Sequence, residues 1–186
     1  SSYAIFSATL VRATPLILTG LAVALAFKAG ILNIGAEGQL LTGAAVAAAV
    51  ALGMGPSLGA GALVIALIAA AAGGALCAAL PAWLQRRFGV LEVISTIMMN
   101  FIALYGVGYL VRGPLQEPTR AYPQSSAIPD ATHLPILIPG TRLHVGFAIA
   151  VIATLAAWYV TRNLAAGFRL RVVGSNPSAA ASRWAR

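Results

Sequence analysis

Acidic side chains are scarce in this sequence. Its 186 residues include four acids (Glu37, Glu92, Glu117 and Asp130), two histidines and one cysteine. A single cysteine excludes a disulfide framework or a multi-cysteine metal site within the chain. Cys77 lies inside an apolar run and reads as a small packing residue. The four acids are widely separated, and His133 and His144 lie in or beside one loop, so no closely spaced acid–base or metal set is expected. A phosphate-binding loop is missing too: the one lysine, Lys28, follows Ala26-Phe27 and precedes Ala29. Charged residues make up 9% of the chain, against about 25% in soluble domains. That leaves too little polar surface to cover a water-soluble globule. A disordered tail, a nucleic-acid-binding domain and a secreted scaffold are excluded on the same composition, and no signal-peptide pattern is present.

What the sequence has in quantity is apolar length, with 60% hydrophobic residues. A hydrocarbon core of roughly 30 Å needs about 20 mostly apolar residues per helix. Five runs meet or approach that length, at 8–27, 39–54, 58–82, 91–111 and 143–161. The expected fold is therefore all-α: a polytopic membrane helix bundle with about five transmembrane helices. Residues 1–161 form the transmembrane region, with an extracytoplasmic loop at 112–142, and 162–186 form a cytoplasmic segment. The loop contains six of the ten prolines, which argues against a long regular helix there and for a plain connector. Gly74, Ala78 and Ala82, four apart, and Gly55 with Gly59 are small residues at helix-packing spacing.

The net charge of +8 is distributed at the ends of the apolar runs rather than along one face, which favours membrane orientation over polyanion binding. One side carries Lys28, Arg86, Arg87, Arg162, Arg169, Arg171, Arg183 and Arg186. The other carries Arg12, Arg112, Arg120 and Arg142. The richer side is placed in the cytoplasm, with the amino end outside and the carboxyl end inside.

Two polar stretches interrupt this apolar pattern. Between the first two runs stands Lys28-Ala29-Gly30-Ile31-Leu32-Asn33-Ile34-Gly35-Ala36-Glu37-Gly38-Gln39. Its glycines permit backbone turns. Asn33 can cap the following helix, and Glu37 would lie in the first turns, where the helix dipole favours a carboxylate. The same residues fit a break beside a solvated pathway, where Asn33, Glu37 and Gln39 would hydrogen-bond a polyhydroxylated solute. The second stretch runs from Glu92 to Asn100. Thr96 and Asn100 are one turn apart on one helical face, and interhelical hydrogen bonding is favoured over solute contact.

The run Gly30 to Gln39 resembles the signature of permease subunits of bacterial ATP-binding-cassette importers for nucleosides and simple sugars. Glu92 to Asn100 is similar to a second segment of that family, and Gly167 to Pro177 resembles its cytoplasmic coupling region. The three stretches occur in family order and span nearly the whole chain. The resemblance implies a multi-pass protein of the bacterial cytoplasmic membrane, moving nucleosides or simple sugars. Its implied partners are an ATPase subunit, a second permease subunit and an extracytoplasmic solute-binding protein, besides membrane lipid and with no nucleic acid. The chain itself would hold no cofactor or metal and catalyse no covalent step, ATP being used by the ATPase. The substrate pathway would include Asn33, Glu37, Gln39 and Asn100. Arg169, Arg171, Gly174, Asn176 and Pro177 would couple to the ATPase, with a short helix starting at Asn176-Pro177. Such permeases have about ten helices in two inverted halves, so the chain reads as part of an inverted-repeat permease. It begins without Met and stops in the coupling segment, so it is expected to be a fragment. The alternative is an ion- or proton-coupled secondary transporter of a small polar solute, with Glu37 binding the cation.

Overall fold

Long apolar runs make long helices, and the described chain is built mainly from them. A computed structural model describes residues 2–176. It has six α-helices: α1 Ser2–Lys28, α2 Ala36–Leu58, α3 Ala60–Phe88, α4 Glu92–Arg112, α5 Val145–Asn163 and α6 Ala165–Ser175. A 3-10 turn, Asp130–Thr132, lies in the loop between α4 and α5. Five helices, α1 to α5, are long and apolar enough to cross a membrane, and at most 17% of each span is buried within the chain. Large side chains such as Leu16, Ile68, Leu76, Ile102 and Ile152 are exposed along them. Such surfaces are stable against lipid, not water.

The polar groups inside these helices are satisfied locally. Thr14 and Thr154 donate their hydroxyls to the carbonyls of Leu10 and Ala150, four residues back, at 3.0 and 2.8 Å. Thr19 donates likewise to Pro15, at 2.8 Å. Among the described residues no buried side-chain nitrogen or oxygen lacks a partner, as hydrocarbon surroundings demand.

The chain divides after Asn33 and after His133 into two compact units. One contains α1, α5 and α6. The other contains α2, α3, α4 and the 3-10 turn. In the second unit α2 and α3 form a hairpin around Gly59, whose φ of +51° suits glycine. A Cβ on Gly43 would stand 2.9 Å from the Ala70 carbonyl oxygen, and one on Gly73 would stand 2.9 Å from a Val46 methyl. Close backbone approach of this kind replaces the missing hydrophobic drive between helices in lipid. The buried stripe of α3 is Ala62, Ala66, Gly73, Cys77 and Pro81. Of the small residues expected to pack, Gly74 stands at the stripe's edge with the Gln39 carbonyl against it, Ala78 lies beside it, and Ala82 is exposed. α3 ends on Gly89, in the left-handed region at φ +68°, whose N–H donates to the Gln85 carbonyl.

The proline-rich connector has structure of its own. In the second unit Gln116 bridges Ser125, the Glu117 N–H donates to the Gln124 carbonyl at 3.0 Å, and the Gln124 amide donates to the Glu117 carboxylate at 2.8 Å. Pro129 and Thr132 pack against Gly55 at the end of α2. In the first unit residues 135–145 turn back on themselves, with the Leu137 N–H donating to the Leu143 carbonyl at 2.8 Å. His144 then caps α5, its Nδ1 accepting the Gly146 N–H at 3.1 Å.

Candidate functional site

The first turn of α2 has a problem that its own sequence does not solve. Its N-cap is Gly35, which has no side chain to accept the orphan N–H groups of a helix start. The expected cap, Asn33, falls two residues too early and belongs to the other unit. The acceptor comes instead from α4. The Asn100 side-chain oxygen accepts the Gly38 N–H at 2.8 Å, the bond an N-cap side chain would ordinarily make to the third helical residue. Its amide nitrogen donates to the Ile34 carbonyl at 3.0 Å, which also fixes which end of the amide is which. One turn earlier, the Thr96 hydroxyl accepts the Ile34 N–H at 3.4 Å and donates to the Glu92 carbonyl at 2.8 Å.

Gly38 makes this bracket possible. A Cβ there would lie 2.9 Å from the Asn100 Cα and 3.0 Å from the Met99 carbonyl oxygen. Residues 34–38 are thus held by two hydrogen-bonding side chains of α4, which meet the Ile34 N–H and carbonyl and the Gly38 N–H. Glu37 stands exposed in the first turn of α2. Gln39 is half-buried, and its backbone carbonyl abuts Gly74 of α3. Asn100 is half-buried, and an amide making these two bonds retains a second N–H and a second lone pair. Three of the four expected pathway residues therefore cluster around the first turn of α2, opposite the middles of α3 and α4. Asn33, half-buried, belongs to the first unit.

The first unit contains the described part of the expected coupling region, where Ala165–Ser175 form α6, a helix the sequence reading did not mark. Gly167 is buried at the corner between α5 and α6, pressed on the backbone of Val160 and Thr161. The Arg171 guanidinium donates to the Thr161 carbonyl, so it closes the carboxyl end of α5. Arg169 is exposed on α6. At the far end of α6, Gly174 meets the carboxyl end of α1: a Cβ on Gly30 would lie 3.0 Å from the Gly174 Cα, and Gly174 itself abuts the Lys28 carbonyl. Gly30 has φ +78°. Sequence reasoning named both glycines in separate motifs and missed that they touch. Asn176 caps α6, its N–H donating to the Val172 carbonyl at 3.0 Å. Pro177 and the helix expected after it, including Arg183 and Trp184, lie outside the described residues.

No group of three metal-ligating side chains occurs among the described residues. Five apolar spans, with a bracketed break between the first two, define a multi-pass integral membrane protein. The chain belongs to the family described as branched-chain amino acid transport system, permease component, which matches residues 5–183. Its place is accordingly the cytoplasmic membrane. It is similar to a glucose ABC transporter permease protein of Haloferax volcanii, 44% identical over 182 residues, which covers 92% of this chain and 47% of that protein. A guanosine ABC transporter permease protein of Bacillus subtilis is 41% identical over 175 residues, covering 92% of this chain and 49% of that one. A second guanosine permease of Bacillus subtilis is 32% identical over 182 residues, covering 95% and 57%. The chain thus spans about half the length of the curated relatives it matches. No solved structure matches it.

Proposed function

We propose that this chain forms part of the transmembrane permease subunit of an ATP-binding-cassette importer for nucleosides or simple sugars. The observation that carries the proposal is the family match over residues 5–183. The family description speaks of branched-chain amino acids, whereas the relatives at 41–44% identity are named for guanosine and glucose. The chemistry of the bracket favours the latter. The amides of Asn100 and Gln39 suit hydroxyl groups, and the three clustered side chains, Glu37, Gln39 and Asn100, include no cation to hold an amino-acid carboxylate.

In this reading an extracytoplasmic binding protein delivers solute to the outer mouth, where the 113–144 connector lies. A second permease subunit completes the pathway. An ATPase subunit docks on the cytoplasmic segment after residue 161, with Arg169, Arg171, Gly174, Asn176 and Pro177 at the contact. ATP is bound and hydrolysed by that partner, and the permease performs no covalent step. Hydrolysis biases inward- and outward-facing states through differential contacts. Asn33, Glu37, Gln39 and Asn100 line the route.

Uptake of labelled guanosine and glucose by cells carrying the intact transporter tests the proposal. Uptake of one of them is expected, and a substitution in the ATPase catalytic site should abolish it. Uptake that survives that substitution and follows an ion gradient would instead make Glu37 a coupling site. Glu37→Gln in the full-length protein is expected to slow uptake severalfold with unchanged membrane assembly. Normal uptake with lowered stability would reduce Glu37 to a helix-dipole partner.

A further inference from the structure

We propose that the cytoplasmic end of α3 binds an anionic phospholipid. Five exposed residues, Ala79, Ala82, Trp83, Arg86 and Arg87, line a groove of about 430 Å³. Their spacing places them on one face of the helix, one above another. The two alanines leave a shallow channel along the helix. Trp83 stands at its middle, and the two guanidiniums close its end. Trp83 meets Phe88 edge to face, with ring centroids 5.4 Å apart. The Arg87 guanidinium lies 5.6 Å from the Phe88 centroid, so the ring pair holds the cation in place. Among the described residues neither Arg86 nor Arg87 has an acidic partner.

The charge distribution selects the occupant. Two unpaired cations side by side call for an anion. Eight residues of helix separate Ala79 from Arg87, about 12 Å along the axis. That is enough to run from the headgroup layer into the hydrocarbon. A partner docking from the cytosol would meet the arginines alone and leave the channel above them empty. A soluble phosphate would do the same. A phosphatidyl lipid of the inner leaflet fills both parts, its phosphate between the guanidiniums, its glycerol level with Trp83 and an acyl chain along Ala82 and Ala79. The arginines lie on the side carrying the larger share of basic residues, where anionic lipids attract them. This inference does not depend on which solute is carried.

Native mass spectrometry of the intact permease complex, titrated with phosphatidylglycerol or phosphatidylcholine, provides the test. Binding of phosphatidylglycerol is expected to be roughly thirtyfold tighter, as two surface cations imply. The double variant Arg86→Gln/Arg87→Gln should reduce that preference to less than about twofold. Arg86→Lys/Arg87→Lys should keep most of it, and Arg112→Gln at the opposite end of the membrane should leave it intact. Ala82→Trp, which fills the channel and leaves the charge, should weaken both lipids; it also carries the test if the double glutamine variant does not assemble. Equal affinity for the two lipids would overturn the proposal. So would undiminished preference in the double glutamine variant, or displacement of the lipid by an equal concentration of glycerol phosphate. A photocrosslink from position 83 to another polypeptide of the complex, in place of lipid, would overturn it as well.

Discussion

Asn100 is the residue on which the bracket turns. It meets one donor and one acceptor of residues 34–38, and both are at the start of a helix whose own cap is a glycine. Asn100→Ala leaves the Gly38 N–H and the Ile34 carbonyl without these partners, at a cost of about 1–3 kcal/mol. A lowered unfolding midpoint in detergent, with uptake impaired beyond the loss of folded protein, is the expected result. Glu117 has a different dependence. The hydrogen bond from Gln124, with a further one from Thr119, holds its carboxyl below the ordinary value of 4.5. A depressed carboxylate pKa means that the loop contact is present above the ordinary value and is lost as the pH falls through the lower, folded one. Carboxyl carbon NMR should show Glu117 titrating at lower pH in the wild type than in Gln124→Ala.

At the level of helices, hydropathy carried most of the information. All five spans were legible because each apolar run is long and holds at most one charged residue, and their ends fall where Lys28, Arg86 and Arg112 stand. Three features were not fully legible, each for a physical reason. The capping of α2 comes from a residue 62 positions away, so nothing near Gly35 signals it. The packed stripe of α3 was only partly legible, with Ala82 exposed, because in an alanine–glycine helix every face offers small residues. α6 is short, of mixed polarity and fixed by a glycine corner and an arginine, none of which gives a hydropathy signal. Part of the candidate site was visible in the sequence as polar residues in apolar surroundings. Their division of labour, with Asn100 tied to backbone and Glu37 exposed, needed the fold. The contact of α6 with α1 can be tested directly. Gly174→Ala should force the two backbones apart and cost roughly 1–3 kcal/mol by overpacking. Gly20→Ala in α1 meets open space and should be neutral or mildly stabilising, since alanine is the better helix former. Thermal unfolding of the two variants side by side distinguishes them.

For the molecule as a whole, five crossings alternate the side of each connection. The orientation expected from the basic residues puts Ala121 outside the membrane and Gln85 in the cytoplasm, and both are exposed. In a Cys77→Ala background, Ala121→Cys should react with an impermeant maleimide on intact cells, and Gln85→Cys only after permeabilisation. The reverse pattern would invert the orientation and move the lipid groove at Arg86 and Arg87 to the other leaflet. The bracket around residues 34–38 also has a consequence for how the protein is made. The Gly38 N–H waits for a side chain 62 residues downstream. At about 5–20 residues per second, that is a delay of roughly 3–12 s during synthesis. During that interval the rest of α2 and all of α3 are made while the first turn of α2 still lacks its acceptor. Water or the insertion machinery must stand in for Asn100 until α4 arrives. A nascent chain arrested before residue 100 should therefore hold residues 34–38 open to solvent exchange, and one arrested after α4 has entered the membrane should not.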